Sequence, residues 1–135
     1  MSGGSGKAQT VLVADDAAIV RKVVGEMLAD AGYEVIAEAA DGLEAVALYE
    51  EHRPEVVVID VNMPRLDGID AAIRIRRTYP TARIVVATVY VTEKRLRRMT
   101  KIGGVDVLLK PFESRKLVEA IERTAPHDTP HAAAA

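Results

Sequence analysis

Residues that could do chemistry stand at the ends of several apolar runs in this sequence. Asp15 and Asp16 follow one run, and Asp60 ends another, in which four β-branched apolar residues lead straight into the carboxylate. Thr88 and Lys110 close two further runs. An apolar run without alternation is typical of a strand buried on both faces of a parallel sheet. Because parallel strands end at the same edge, we expect these side chains to converge on one crevice.

Three carboxylates in one crevice repel each other, and without compensation one of them would be driven toward its neutral form. A divalent cation can compensate this repulsion. Mg²⁺ fits because it binds through one or two carboxylates and bridges to phosphate oxygens, and Mn²⁺ is the alternative. Lys110 adds an ammonium group and Thr88 a hydroxyl, which together suit a phosphoryl group in transfer. Carboxylates can be the nucleophile. The residues therefore predict Mg²⁺-dependent phosphoryl transfer onto Asp60, which stands alone on the central strand.

Each of these residues also has a plainer interpretation. Asp60 could be a solvated loop aspartate, and Asp15 with Asp16 could be a helix N-cap pair that favours the macrodipole. A threonine or a Lys-Pro pair after a strand is unremarkable when taken alone. The joint occurrence of polar residues after four of the predicted strands favours the site.

The elements that must position these residues alternate between strand and helix five times. The predicted strands cover 10–14, 33–39, 56–60, 83–88 and 105–109. The predicted helices run from 17 to the glycine at 32, over 43–52, from 66 or 67 to the Tyr-Pro pair at 79, over 93–102 and over 113–124. Five such units with short connections predict an α/β fold with an open, doubly wound, five-stranded parallel sheet.

Helical spacing also assigns residues to the core. In the first helix the apolar positions are Ile19, Val20, Val23, Val24, Met27 and Leu28. In the second helix they are Leu43, Val46, Ala47 and Tyr49.

Composition limits the class of protein. The 135 residues have a net charge of -2, with 49% hydrophobic and 28% charged residues, a globular balance that does not point to nucleic acid or to an anionic membrane surface. The sequence has no cysteine, which excludes disulfides and thiol catalysis and fits a cytoplasmic protein. No apolar run is long enough to span a bilayer. We expect a flexible lead over 1–8, one domain over 9–125, and a disordered tail or the start of a linker over 126–135.

Four motifs in the chain resemble a known family. Val-Ala-Asp15-Asp16, Val-Ile-Asp60-Val-Asn-Met-Pro, Val-Ala-Thr88 and Leu-Lys110-Pro are similar to the receiver domain of two-component response regulators, including single-domain chemotaxis-type regulators. The resemblance covers residues from about 9 to 125. It implies a flavodoxin-like fold of strand order 2-1-3-4-5, with the site at the switch point between the first and third strands. It also implies that a sensor histidine kinase or phosphotransfer protein donates a phosphoryl group to Asp60.

The resemblance further implies a set of metal ligands. Asp16 and Asp60 would bind Mg²⁺ directly, together with the backbone carbonyl of Asn62. Asp15 would act through a water molecule.

The signalling residues match the family less well. Thr88 and Lys110 would bind phosphoryl oxygens, and in receivers the threonine moves toward the phosphate while an aromatic residue of the fifth strand turns inward. Here Val107 occupies that position, three residues before Lys110, where the family usually has Tyr or Phe. Tyr90 is the nearest aromatic residue in sequence to Thr88. We hypothesise that Tyr90 takes part in signalling or screens the phosphoryl group from water.

The fourth helix is unusually basic, and two interpretations of it remain open. Its cations could form a solvated face, or they could belong to an output surface made by the fourth helix, fifth strand and fifth helix, which would bind a twin subunit or a partner. Arg95 and Arg98 are our candidates among Lys94, Arg95, Arg97, Arg98 and Lys101. We do not expect direct contact with DNA from this domain, and an effector domain could follow it.

The sequence therefore favours a signalling module that modifies itself over an enzyme that turns over external substrates. A phosphatase of the haloacid dehalogenase pattern would place its second acid two residues after the nucleophile, which Asp15 and Asp16 do not match. A flavin-binding module would bring its phosphate to two carboxylates, which would repel it.

Overall fold

The computed structural model of the chain describes residues 8–126, and within them strands alternate with helices. The strands are β1 (Thr10–Ala14), β2 (Glu34–Ala39), β3 (Val56–Asp60), β4 (Arg83–Thr88) and β5 (Val105–Leu109). The helices are α1 (Ala18–Asp30), α2 (Gly42–His52), α3 (Gly68–Thr78), α4 (Glu93–Ile102) and α5 (Ser114–Arg123). Apart from Ala8 and Pro126, the predicted lead and tail lie outside the described residues.

The five strands form one sheet in the order β2-β1-β3-β4-β5, and every neighbouring pair is parallel. This confirms the predicted fold class and strand order. β3 is central, and all five of its residues are buried. A strand covered on both faces has no solvent side, which is why its residues show no polar alternation.

The helices cover the two faces of the sheet and bury a separate apolar cluster on each. On one face, α1 and α5 contribute Val24, Leu28 and Leu117, which pack with Val58 of the central strand. On the other face, residues of α2, α3 and α4 pack with Ile59. Alternate residues of β3 thus anchor opposite layers, so the end of the strand is held firmly between them.

Two glycines allow the segment after β3 to pack closely. A Cβ on Gly68, the first residue of α3, would overlap the backbone carbonyl of Asp60. A Cβ on Gly42, the first residue of α2, would overlap the backbone carbonyl of Leu66 in the same segment. The N–H of Gly68 also donates a hydrogen bond to the carbonyl of Val61 at 2.9 Å. The turn after Asp60 is therefore folded tightly against the strand end.

A side chain caps the start of α2 but not the start of α1. The Asp41 side chain accepts a hydrogen bond from the N–H of Glu44 and caps the start of α2. α1 instead begins after Ala17, without a side-chain cap hydrogen bond, so Asp15 and Asp16 are not its N-cap pair.

The predicted inward faces of the first two helices are partly wrong. In α1, Val24 and Leu28 are buried, whereas Ile19 is 67% exposed and Val23 is exposed as well. In α2, Ala45 and Tyr49 are buried, whereas Leu43 and Ala47 are exposed. The apolar residues of α1 form two adjacent rows, and since each residue advances about 100° around a helix only one row can face the sheet. Tertiary packing determines that the row with Val24 and Leu28 is the one that faces the sheet.

No helix in the described part of the chain, residues 8–126, is long and apolar enough to cross a membrane.

Candidate functional site

Three carboxylates meet at the carboxyl-terminal edge of the sheet. Asp60 ends β3, and Asp15 and Asp16 follow the adjacent strand β1. Each of the three offers a carboxylate oxygen, and these oxygens lie within 4.8 Å of one another. Asp15 and Asp60 are buried and Asp16 is exposed, so the cluster opens to solvent on one side. Oxygen ligands with an open side fit a hydrated divalent cation such as Mg²⁺, which keeps several of its waters.

Lys110 supplies positive charge to the same cluster. Its Nζ lies 2.6 Å from Oδ1 of Asp60 and 3.0 Å from Oδ2 of Asp15. Burial acts to lower the pKa of Lys110, but the hydrogen bonds and charges of the two aspartates outweigh it, and the pKa lies above its ordinary value. Lys110 is therefore a charged ammonium group that links the ends of β1, β3 and β5.

The carboxylate of Asp60 is held in place from both sides. Lys110 binds one oxygen, and the backbone N–H of Asn62 donates to the other, Oδ2, at 3.0 Å. Burial raises the pKa of Asp60, and the charge of Asp15 raises it further. Lys110 and the Asn62 N–H act to lower this pKa, but it stays above its ordinary value. The site therefore fixes the orientation of Asp60 but compensates its charge incompletely, which is an arrangement that favours an additional cation.

Asp15 is oriented by neighbouring backbone groups. The N–H of Ala17 donates to Oδ1 of Asp15 at 2.9 Å. The guanidinium of Arg21 donates to the backbone carbonyl of Asp15 at 2.7 Å and pairs with Glu38. These contacts fix the loop that carries Asp15 and Asp16.

The two signalling candidates near the site lie in different surroundings. Thr88 is buried at the end of β4, and its hydroxyl donates to the backbone carbonyl of Tyr90 at 2.9 Å. The side chain of Tyr90 is 59% exposed, and the guanidinium of Arg95 lies 5.8 Å from the centre of its ring. Val107 is half-buried, paired in register with Val86 on the sheet face that carries α2, α3 and α4.

The basic residues of α4 do not all face the same way. Arg98 forms an ion pair with Asp70 of α3. Lys101 also lines a groove against α3. These two cations therefore lie on the side of α4 that contacts α3. The sequence left two interpretations open, a solvated face and an output surface shared with β5 and α5.

An apolar surface beside Lys110 was not recognised as a surface from the sequence. It consists of Ile19, Val23, Val89 and Phe112, which line a hollow of about 430 Å³ that also includes Lys110. Ile19 and Val89 are 67% and 59% exposed. The signal was present in the sequence, because the apolar stripe of α1 is about twice as wide as burial against a sheet requires.

Comparisons with known proteins agree with this architecture. Residues 11–122 match the family described as the response regulator receiver domain. The transcriptional regulatory protein PdtaR of Mycobacterium tuberculosis is 46% identical over 114 residues. The chemotaxis protein CheY of Thermotoga maritima is 37% identical over 115 residues, covering 85% of this chain and 96% of that protein.

The match to PdtaR covers 83% of this chain but only 54% of that protein, so the chain spans about half the length of PdtaR. Among solved structures, a chain of the CheX–CheY–BeF3–Mg²⁺ complex from Borrelia burgdorferi is similar, with a TM-score of 0.83 and 26% identity. That likeness covers 88% of this chain and 90% of the other.

Proposed function

This chain belongs to the response regulator receiver family, and on that premise we propose that Asp60 accepts a phosphoryl group from a histidine kinase or phosphotransfer protein in a Mg²⁺-dependent reaction. The observation that carries the proposal is the Asp60 carboxylate, fixed by Lys110 and by the Asn62 N–H and surrounded by Asp15 and Asp16. A carboxylate in that setting is oriented for attack and stands beside the charge that a phosphoryl group requires.

The proposed reaction balances without an external reductant or oxidant. A carboxylate oxygen of Asp60 forms a bond to phosphorus, and the bond between phosphorus and the imidazole nitrogen of the donor histidine breaks. The electron pair returns to that nitrogen, and the product is an acyl phosphate on Asp60. The ammonium of Lys110 would neutralise part of the charge on the phosphoryl oxygens, and the Thr88 hydroxyl would donate to one of them.

The residues that would hold Mg²⁺ are those that the family resemblance implies. Asp16 and Asp60 would bind it directly with the carbonyl of Asn62, and Asp15 would act through water. When bound, the ion supplies positive charge beside the transferred group. The Borrelia burgdorferi complex, one chain of which is similar to this chain, contains Mg²⁺ together with BeF3.

The apolar surface made by Ile19, Val23, Val89 and Phe112 supports a protein phosphodonor. It adjoins Lys110, so a donor that buries these residues would bring its histidine close to Asp60. Exposed apolar patches of this kind are typical of protein interaction sites. A small phosphorylated metabolite would not need these apolar residues to bind.

The proposal includes a signalling role rather than turnover of external substrates, with a cytoplasmic location. Output would pass through the surface formed by α4, β5 and α5, to a twin subunit, a partner or an effector domain. Tyr90 and Arg95 lie at the start of that surface, and the Thr88 hydroxyl connects the site to the Tyr90 backbone.

The test is incubation with acetyl phosphate and Mg²⁺, followed by intact mass measurement. We expect the mass to rise by one phosphoryl group in the wild type, and the gain to be absent in Asp60→Asn. Asp30→Asn, at an exposed position at the end of α1, is the matched control and should gain the group. Phosphorylation of Asp60→Asn would refute the assignment. Hydrolysis of an external phosphoester such as p-nitrophenyl phosphate would instead support a phosphatase.

A further inference from the structure

A groove of about 420 Å³ lies between α3 and α4 and is lined by basic residues from both helices. Arg74 and Arg77 of α3 form one wall, and Arg98 and Lys101 of α4 form the other. Asp70 is the acidic residue of the lining. The groove therefore carries a strong positive charge, although the chain as a whole has a net charge of -2.

Most of the cations in the groove are available to a ligand. Arg74, Arg77 and Lys101 are exposed, and they form no salt bridge among residues 8–126. Arg98 differs because it is half-buried and pairs with Asp70. Three like charges held along one groove raise one another's energy, and an anionic partner would relieve that repulsion.

The floor of the groove is aliphatic. Leu66, Ile73 and Ile102 lie there half-buried and partly open to solvent. An aliphatic floor between cationic walls is complementary to an amphipathic segment that has apolar residues on one side and carboxylates along its edges. A nucleic acid fits less well, since none of the described lining residues is aromatic and could stack on a base.

We propose that this α3–α4 groove binds an acidic amphipathic peptide segment of a partner protein. The apolar side chains of the segment cover Ile73 and Ile102, and its carboxylates pair with Arg74, Arg77 and Lys101. The groove is separate from the α4-β5-α5 surface and does not depend on phosphorylation of Asp60, so this inference stands independently of the proposed function.

The first experiment selects short random peptides displayed on phage against the full chain at physiological salt. We expect the recovered sequences to combine aspartate or glutamate with leucine, isoleucine or phenylalanine at helical spacing. The affinity of a recovered peptide, made with a fluorescent label, is then measured by anisotropy without any phosphodonor.

Two charge-reversal variants of equal charge make the comparison specific. Arg74→Glu with Arg77→Glu alters the groove, whereas Arg97→Glu with Arg115→Glu alters exposed positions of α4 and α5 outside it. We expect the groove variant to bind the peptide at least about tenfold more weakly than the wild type, and the affinity of the control variant to change by less than about threefold. That difference is larger than general electrostatic attraction would give. Circular dichroism confirms that each variant is folded.

Three results would overturn the inference. The first is a selection that recovers no acid-rich family, and the second is equal weakening by both variants, which would indicate only non-specific charge attraction. The third is a single-stranded RNA oligonucleotide that binds the groove more tightly than the peptides and loses affinity with Arg74→Glu and Arg77→Glu. That result would assign the groove to nucleic acid.

Discussion

Replacing Lys110 with methionine removes the ammonium group while keeping a flexible side chain of similar length. In the wild type that group lies 2.6 Å from Asp60 and 3.0 Å from Asp15. The variant leaves two buried carboxylates and the exposed Asp16 close together without the lysine. We therefore expect the metal-free protein to be destabilised, because removing one partner leaves the other charges buried and uncompensated.

These distances set an upper limit on the size of the effect. At an effective dielectric constant of about 20, each contact contributes roughly 6 kcal/mol of Coulomb attraction. Desolvation of the buried ammonium cancels several kcal/mol of that gain, and the loss measured on breaking such a pair is about 3 to 5 kcal/mol. Since 22% of the Lys110 side chain remains exposed, we expect a value near the lower end, about 3 kcal/mol.

Urea unfolding with and without Mg²⁺ measures both parts of the prediction. Without its lysine the carboxylate cluster should hold Mg²⁺ about tenfold more tightly, so a saturating concentration should add about 1.4 kcal/mol more stability to the variant than to the wild type. Lys116→Met, at an exposed position of α5, is the control and should change stability by less than about 0.5 kcal/mol. The reasoning would be refuted if Lys110→Met matched this control, or if Mg²⁺ stabilised the variant no more than the wild type.

Three further predictions concern single side chains. Gly68→Ala should destabilise the protein by about 2 to 4 kcal/mol in urea unfolding, because its Cβ would overlap the Asp60 carbonyl. Gly25→Ala, which has open space around it, is the control and should be neutral or stabilising by up to about 1 kcal/mol. Equal effects of the two substitutions would contradict the close packing of Gly68. Burial raises the pKa of Asp60 above 3.8, so its ionised form opposes folding at pH 7, and this cost fades as the pH falls through the raised pKa. Asp60→Asn should therefore unfold at a higher urea concentration than the wild type at pH 7, and the difference between the two midpoints should close toward pH 4. A difference that widens toward pH 4 would contradict the prediction. Tyr90→Ala should change the lifetime of the acyl phosphate or the affinity for a partner, while Tyr90→Phe should not; if both variants leave both quantities unchanged, Tyr90 has no role in the signal.

The fold and the chemical centre could be predicted from the sequence because both depend on backbone periodicity. Uninterrupted apolar runs identify buried parallel strands, and parallel strands must end at one edge. The meeting of Asp15 and Asp60 follows from that topology, and so does the approach of Lys110 from a strand two places away from β3. Sequence distance is no obstacle to such a prediction.

Side-chain direction could not be predicted in the same way. The two apolar rows of α1 have similar composition, and only packing against β1 and α5 determines that Val24 is buried and Ile19 is exposed. The contact between Arg98 and Asp70 depends on the distance between α3 and α4, which no local pattern specifies. The exposed row and this ion pair define the two surfaces to which we assign partners.

The hydroxyl of Thr88 limits how a signal could leave the site under the proposed function. A hydroxyl has one proton, and that proton is donated to the Tyr90 carbonyl, so it cannot also be donated to a phosphoryl oxygen. Binding of a phosphoryl oxygen by Thr88 would therefore break its bond to the loop that begins α4. The side chain of Val107 has no polar group and could not form a replacement hydrogen bond. The change would then pass through the backbone of Tyr90 and the adjoining Arg95, rather than through an aromatic residue of β5.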